Sequence, residues 1–191
     1  MLNTMIDDHI RCLQQLKFLA AEIEKTGDLL LRCLLGGGKL LICGNGGSAA
    51  DAQHFAAEII GRFEKERRAY PAVALSTDTS ILTAVGNDYG YAEVFARQVD
   101  GLGRPGDMLV GISTSGHSEN VMRAVERARV LRMNSVGLLG KDGGALKDMV
   151  DRAIVVENPV TARIQETHIF ILHYWAWQIE NGLIRHAEDR R

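Results

Sequence analysis

Two polar side chains on one predicted helix have the spacing needed for acid–base or metal chemistry. The helix is predicted over residues 49–63, and it carries His54 and Glu58, four residues apart. Side chains at this spacing lie one turn apart on the same helix face. An imidazole and a carboxylate placed in this way can bind one metal ion or act as an acid–base pair. An exposed pair without a function is the more common meaning of this spacing, so the pair needs support from elsewhere in the chain.

A second set of such groups lies in the last predicted helix, over residues 162–184. Its segment RIQETHIFILH contains Gln165, His168 and His173. Gln165 and His173 are separated by about 12 Å along a helix axis, so one metal could join them only if both side chains reach inward. His168 is a rival ligand. A single histidine in an apolar helix is more often a hydrogen-bonded core residue.

A glycine-rich loop follows the first predicted strand. Residues 44–48 read GNGGS, and glycines of this kind let backbone N–H groups approach an anion at the N-terminus of the next helix. The loop is neither a GxGxxG motif nor a P-loop, because no lysine follows it. A ligand-binding loop and a simple tight turn are equally good interpretations of this segment alone.

A loop rich in hydroxyl groups follows the third predicted strand. Residues 113–118 read STSGHS, and four of them carry hydroxyls: Ser113, Thr114, Ser115 and Ser118. Hydroxyl and N–H donors gathered at a helix N-terminus suit a phosphate monoester. The alternative is that Ser118 is only a helix N-cap. A cap needs one hydroxyl, so the phosphate interpretation is favoured.

The pair Asn87-Asp88, in the segment AVGNDYG, is predicted to lie in a polar loop.

These loops belong to a regular alternation of strands and helices. Apolar runs predict strands at residues 40–43, 72–75, 108–112, 135–139 and 153–156, and helices at 49–63, 80–100, 119–131 and 145–149. This alternation predicts an α/β fold, with a five-stranded parallel sheet covered by helices on both faces. Ligands of such sheets bind beyond the carboxyl ends of the strands, where strand order reverses. The loops after the first and third strands are therefore expected to hold the site.

The N-terminal segment is predicted to be helical. Apolar residues spaced by three and four over residues 6–23 predict an amphipathic helix, and a second helical stretch over 28–35 ends at three consecutive glycines. The apolar stripe of Ile6, Ile10, Leu13 and Leu16 is more than one short surface helix needs. It predicts packing against a neighbouring subunit.

Composition restricts the class of protein. The chain has 191 residues, 46% of them apolar and 24% charged, with a formal charge of -2. These values predict one soluble globular domain that neither nucleic acid nor an anionic membrane attracts by bulk charge. The basic cluster of Lys65, Arg67 and Arg68 alternates with glutamates, and we interpret it as a solvated surface.

The cysteines and the apolar segments suggest a location. Cys12, Cys33 and Cys43 show no CxxC spacing, which indicates reduced thiols in a reducing compartment. The first residues lack the apolar region of a secretory signal, and the late stretch IFILHYWAWQI is too short to cross a bilayer. We therefore expect a cytoplasmic protein.

Several segments together resemble the sugar isomerase (SIS) domain family, and specifically its bacterial phosphoheptose isomerases. They are CGNGGSAADAQHFAAEIIGRF, VGNDYG, GDMLVGISTSGHSENV, LLGKDGG and ARIQETHIFILH, in the family's order and over nearly the whole chain. The resemblance implies a flavodoxin-like SIS domain spanning residues 1–191, with a helical extension over 1–36 and a phosphosugar-binding core over 37–191. It also implies a homotetramer with sites near the subunit interfaces.

The resemblance assigns roles to residues. The implied zinc ligands are His54, Glu58, Gln165 and His173, and Glu58 and His173 are also the implied acid–base pair. The implied substrate-binding residues are Asn45, Gly46, Gly47, Ser48, Glu58, Asn87, Asp88, Ser113, Thr114, Ser115, Ser118 and Gln165. Ala162 stands where some relatives have an aspartate, so an acid from that position is not expected here.

The implied reaction converts sedoheptulose 7-phosphate into D-glycero-D-manno-heptose 7-phosphate, the first step of ADP-heptose biosynthesis, whose product feeds lipopolysaccharide or another glycan. An enediol route needs a base at carbon, an acid at oxygen and stabilisation of an oxyanion, and a carboxylate, an imidazole and zinc can supply these. One alternative is a non-catalytic SIS protein that binds the replication initiator, but Glu58 and His173 favour the enzyme. A sugar-phosphate-sensing regulator would need a DNA-binding domain, for which the chain has no room.

Overall fold

Five parallel strands form one sheet in the computed structural model, which describes residues 1–189. The strand order is β2-β1-β3-β4-β5, which is the flavodoxin-like order and confirms the predicted fold class. The strands are β1 (Leu40–Gly44), β2 (Ala72–Ala74), β3 (Met108–Ser113), β4 (Asn134–Gly140) and β5 (Arg152–Val156). Strand order reverses between β1 and β3, and ligands of such sheets bind in the crevice at the carboxyl ends of the two strands where this happens.

Helices cover both faces of the sheet. They are α1 (Leu2–Leu35), α2 (Gly47–Ile60), α3 (Thr79–Tyr89), α4 (Ala96–Leu102), α5 (Glu119–Val130), α6 (Leu146–Met149) and α7 (Thr161–Glu188). One face is packed by α1, α2 and α7, and the other by α4, α5 and α6. No helix within residues 1–189 is long and apolar enough to cross a membrane.

Each strand contributes side chains to two cores because successive side chains point to opposite faces of a sheet. In β1, Leu40 and Ile42 enter the core beneath α2 and α7, whereas Leu41 and Cys43 enter the core beneath α4 and α5. Every residue of β1 is buried. The sheet is therefore a fixed platform for the loops at its edge.

The N-terminal region differs from the prediction, because residues 2–35 form one continuous helix rather than two. Gly27 lies inside α1, where a Cβ atom would come within 2.0 Å of Gln178 Oε1 on α7. The glycine thus marks a close approach of two helices and not a break. The indole N–H of Trp175 on α7 also donates to the Ile23 carbonyl, at 2.9 Å. The predicted end before the three glycines is confirmed.

The predicted helix over residues 80–100 is wrong in detail. It is divided into α3, one turn of 3-10 helix at Tyr91–Glu93, and α4. Gly90 has φ of +87°, a conformation that favours glycine and ends α3. Asn87 and Asp88, predicted to lie in a loop, are instead in the last turn of α3.

The segment after α2 also differs from the prediction. Helix α2 ends at Ile60 rather than at residue 63, because the backbone N–H groups of Phe63, Glu64 and Lys65 turn toward the carboxylate of Glu180. The interpretation of the basic cluster as solvated is wrong for Arg67, whose side chain is only 4% exposed.

Candidate active site

The loops after β1 and β3 meet in the crevice through a pair of amide side chains. Asn45 Nδ2 donates to Asn120 Oδ1 and Asn120 Nδ2 donates to Asn45 Oδ1, each at 2.8 Å. The Tyr91 hydroxyl reaches Asn45 Oδ1 at 3.3 Å. Asn45 belongs to the glycine-rich loop, and Asn120 lies in the first turn of α5. The structure therefore brings the two predicted loops together.

The glycine-rich loop leads directly into α2 and contacts α7. Gly46 has φ of +56° and precedes the first residue of the helix, Gly47. A Cβ atom on Gly47 would lie 2.2 Å from Gln165 Nε2, so the absence of a side chain makes room for Gln165. Ser48 is 3% exposed. The backbone of this loop and the side-chain amide of Gln165 on α7 therefore lie next to each other.

The hydroxyl groups of the second loop are linked to one another. Ser113 Oγ lies 2.9 Å from Ser118 Oγ and 3.5 Å from Ser115 Oγ, and it accepts from the backbone N–H of Gly116 at 3.1 Å. Ser118 occupies the N-cap position of α5, but its hydroxyl makes no capping hydrogen bond. Thr114, partly exposed, completes the loop. The interpretation of Ser118 as only a cap is therefore wrong, and these donors remain together at a helix N-terminus.

The segment LLGKDGG supports the hydroxyl loop from outside. A Cβ atom on Gly116 would lie 2.0 Å from the Gly143 carbonyl oxygen, and the N–H of Leu146 donates to the Gly116 carbonyl at 3.0 Å. Gly116 also has φ of +68°. Close backbone contact and the positive φ both require glycine at position 116. The contacts with Gly143 and Leu146 therefore fix the shape of the hydroxyl loop.

Helices α2 and α7 bring His54, Glu58 and His173 into one cluster. His54 Nε2 lies 2.8 Å from His173 Nε2 and 3.3 Å from Glu58 Oε1. The two imidazole rings are at 62° to each other, and the ring of Phe63 lies against His173 with centroids 5.7 Å apart. The predicted cluster therefore forms from residues 119 positions apart in the chain.

The protonation of this cluster is set by burial and by close charges. Partial burial and the adjacent His54 lower the pKa of His173, while Glu58 partly opposes the change. A lowered pKa keeps His173 neutral near pH 7, so its imidazole can accept or donate a proton. One turn before His54, burial raises the pKa of Asp51 to about 6, with His54 partly opposing.

The cluster has donors that suit zinc. Tetrahedral zinc with bonds of about 2.0–2.1 Å keeps its ligand atoms about 3.3 Å apart. The separation of His54 Nε2 from Glu58 Oε1 is 3.3 Å, whereas the two histidine Nε2 atoms are closer, at 2.8 Å. No three His, Cys, Asp or Glu side chains within residues 1–189 are already arranged as a finished metal site. Binding would therefore require small rotations, with Gln165 as the remaining donor. In donor type the residues fit the metal, since two imidazoles and a carboxylate lie within hydrogen-bonding distance or close to it.

Some predicted residues lie apart from the cluster. His168 is fully buried, and its Nε2 is 3.0 Å from the Leu139 carbonyl oxygen, so it is a core residue and not a rival ligand. Asn87 and Asp88 are exposed, and Asn87 Nδ2 donates to Asp88 Oδ1 at 2.8 Å. Within residues 1–189, neither of these two hydrogen-bonds another predicted site residue, and Gln165 shares no hydrogen bond with the His54 cluster.

Sequence reasoning missed two residues in the site. Asn120 holds Asn45, and no motif points to an amide two residues after a helix N-cap. Asp51 lies three residues before His54 on the same helix face, and its Oδ2 atom is buried without a hydrogen-bond partner among the described residues. Its spacing from His54 and Glu58 was the available signal.

Comparisons with known proteins agree with the fold and the loops. The family model described as the SIS domain matches residues 6–140. The phosphoheptose isomerase of Campylobacter jejuni is 53% identical over 175 residues, covering 92% of this chain and 94% of that protein. The corresponding protein of Nitratiruptor is 65% identical over 135 residues, covering 71% of this chain and 72% of its own.

Solved structures agree as well. The phosphoheptose isomerase of Neisseria gonorrhoeae superposes with a TM-score of 0.89 at 48% identity, covering 94% of this chain and 97% of its own. That of Francisella tularensis gives a TM-score of 0.88 at 38% identity, with 94% and 96% of the two chains covered. The chain therefore belongs to the SIS domain family and, within it, to the phosphoheptose isomerases.

Proposed function

We propose that this chain is a ketose–aldose isomerase that converts sedoheptulose 7-phosphate into D-glycero-D-manno-heptose 7-phosphate. The observation that carries the proposal is the meeting of Glu58 and His173 with His54, across two helices that begin beside the loops of the crevice. Relatives at 53% and 65% identity bear the name phosphoheptose isomerase. The reaction would be the first step of ADP-heptose biosynthesis.

Proton transfer between adjacent carbons is the chemistry that the cluster supports. Glu58 removes the proton from C1 of the ketose while His173 protonates the C2 carbonyl oxygen, which gives a 1,2-enediol. Delivery of a proton to C2 and loss of the O1 proton then give the aldose, so no proton is gained or lost.

The hydroxyl loop is the proposed phosphate-binding element. Ser113, Ser115 and Ser118 gather their hydroxyls at the N-terminus of α5. That end of a helix favours negative charge and offers free N–H donors. The glycine loop, with Asn45 to Ser48, and the pair Asn87 and Asp88 are proposed to bind the sugar hydroxyls.

Zinc is proposed as the cofactor, held by His54, Glu58, Gln165 and His173. When bound, it would polarise the substrate carbonyl and stabilise the developing oxyanion. A carboxylate bound tightly to zinc is a weaker base. We therefore propose that Glu58 serves at a given moment either as a zinc ligand or as the base. His54 and His173 would hold the metal when Glu58 acts as the base.

We also propose a homotetramer in the cytoplasm, built from SIS domains that span residues 1–191. Of the predicted stripe, Ile6 and Ile10 are exposed in the single chain, at 47% and 45%, and so is Met5, at 50%. Leu16 is instead buried in this chain's own core and Leu13 packs against it, so that half of the stripe does not face a neighbour. Helix α3 has no buried residue. Burying such surfaces against other subunits would remove apolar area from water. The three cysteines are buried free thiols, in keeping with a reducing compartment.

Assay of the purified protein with sedoheptulose 7-phosphate and zinc tests the proposal. In D2O, we expect an aldose 7-phosphate product that carries one deuteron from the solvent at C2. A folded protein without isomerase activity on this or any other ketose phosphate would refute the proposed activity. Binding to a replication initiator would then be the function to test.

A further inference from the structure

A buried ion pair joins the segment after α2 to α7. Arg67 Nε lies 3.5 Å from Glu180 Oε1, and the two side chains are 4% and 1% exposed. Burying two charges has a large desolvation cost, which close hydrogen bonding must offset. Both residues lie outside the loops and the cluster described above.

Glu180 holds the backbone of the segment that follows α2. Its Oε1 accepts from the Phe63 N–H at 2.8 Å, and its Oε2 accepts from the N–H groups of Glu64 and Lys65, both at 2.8 Å. Burial acts to raise the pKa of Glu180, but these three donors and Arg67 outweigh it and lower the pKa. The carboxylate therefore stays ionised and fixes three consecutive peptide groups.

Arg67 caps the C-terminal end of α2. Its Nη2 donates to the Glu58 carbonyl at 2.7 Å, and its Nη1 donates to the carbonyls of Ile59 and Gly61 at 2.9 and 3.2 Å. The last carbonyls of a helix lack partners within the helix and carry partial negative charge. A guanidinium, with its fixed fork of donors, satisfies several of them at once.

The pair thereby contacts the backbone of one acid–base residue and the backbone of Phe63, whose ring lies beside the other. Arg67 holds the carbonyl of Glu58 directly. Glu180 holds the N–H of Phe63, whose ring lies 5.7 Å from the ring of His173. Glu180 also lies seven residues after His173, two turns along the same face of α7.

We propose that Arg67 and Glu180 are positioning residues of the isomerase, which set the separation between Glu58 on α2 and His173 on α7. The inference rests on the proposed function. Neither residue touches the substrate in this account. Their effect is on the turnover step, because a misplacement of about 1 Å between reacting groups costs about a hundredfold in rate.

Two variants and one control test the proposal. Arg67→Lys keeps the charge but loses the fork, and Glu180→Gln keeps the shape but turns an amide N–H₂ toward backbone donors. We expect each to lower kcat by about ten- to a hundredfold with KM within about twofold of wild type. Lys65→Met is the matched control, because Lys65 Nζ joins the same segment to Asn181 of α7 at 2.7 Å, away from the cluster. It should keep wild-type kcat.

A variant of Phe63 separates positioning from folding. Phe63→Leu leaves the ion pair intact and removes the ring beside His173, so kcat should fall while the melting temperature stays close to wild type. If Glu180→Gln does not fold, Arg67→Lys still tests the role of the pair, and Phe63→Leu tests the ring through which Glu180 reaches His173. Folded variants that keep wild-type kcat, or that lose affinity for substrate as much as turnover, would overturn the proposal.

A crystallographic comparison gives a result that does not depend on activity. In Arg67→Lys, we expect the Glu58 carboxylate to move by about 1 Å or more relative to His173, beyond the roughly 0.5 Å that catalytic geometry tolerates. Superposition of the two side chains within that tolerance would overturn the positioning role, even if the wild-type protein proved to have no isomerase activity.

Discussion

Substitution of one glycine should displace a site residue without harming the fold. Gly47 is the first residue of α2, and a Cβ atom there would come within 2.2 Å of Gln165 Nε2 and 2.7 Å of its Cδ. An ordinary contact begins at 3.4 Å, so in Gly47→Ala the amide must move by about 1.2 Å. The Gln165 side chain is flexible, so it moves in preference to the backbone.

The expected effect is large on activity and small on stability. A misplacement of about 1 Å costs about a hundredfold in turnover. Alanine in place of glycine in a helix raises the free energy of unfolding, but by no more than about 1 kcal/mol. Steady-state kinetics, metal content and thermal unfolding of Gly47→Ala measure these quantities. Loss of bound zinc along with activity would indicate that Gln165 acts as a ligand.

Two comparisons make the test specific. Gly46→Ala meets nothing within 4 Å, but the φ of +56° and ψ of −121° are unfavourable to alanine, so it should lower stability by about 1–3 kcal/mol and leave Gln165 in place. In a Gln165→Ala background, Gly47→Ala should cost little further activity, because the displaced group is gone. An equal loss in both backgrounds, or wild-type activity in Gly47→Ala, would refute the reasoning.

Ser113→Ala combined with Ser115→Ala should raise KM by about a hundredfold or more, because each lost hydrogen bond to a charged group is worth about 1.5–3 kcal/mol; an unchanged KM in the folded double variant would count against a phosphate site there. His168 is buried, which lowers its pKa to about 4 from 6.5. Above pH 6.5 the folded and unfolded states both hold it neutral, and below that pH only the unfolded state gains the proton, so stability should fall by about 3 kcal/mol between pH 6.5 and 4. Denaturant unfolding at several pH values checks this, with His168→Gln as a comparison that should lack this part of the loss. Light scattering should report a tetramer, and a monomer at micromolar concentration would contradict the assembly.

Much of the fold could be predicted because its signals are local. Apolar runs such as residues 40–43 are bounded by glycines, and both faces of a parallel sheet are buried, so each run indicated a strand. The site's place followed from the order of strands and helices, since the loops after β1 and β3 are the two at which strand order reverses. Helix ends were less predictable, because they depend on partners distant in sequence.

Several of the errors came from tertiary contacts. Two helical stretches were predicted over residues 6–23 and 28–35, yet Gly27 lies inside one continuous helix and its missing side chain admits Gln178. Arg67 looked like part of a solvated surface, yet Glu180, 113 residues later, holds it inside the protein. The role of Asn120 could not be predicted because its hydrogen-bond partner, Asn45, lies 75 residues away in the sequence. Spacing along one helix can place His54 beside Glu58, but only packing of α2 on α7 adds His173.

Turnover of sedoheptulose 7-phosphate by Glu58→Gln and His173→Ala tests the central claim most directly. If these residues form the proton-transfer pair, each variant should fold and lose at least about a hundredfold in kcat, the usual contribution of a positioned acid–base group. The double variant should lose much less than the product of the two single losses, because both residues act in one sequence of transfers. A Glu58→Gln protein that retains zinc but not activity would identify Glu58 as the base. Either single variant, folded and with turnover close to that of the wild type, would contradict the account.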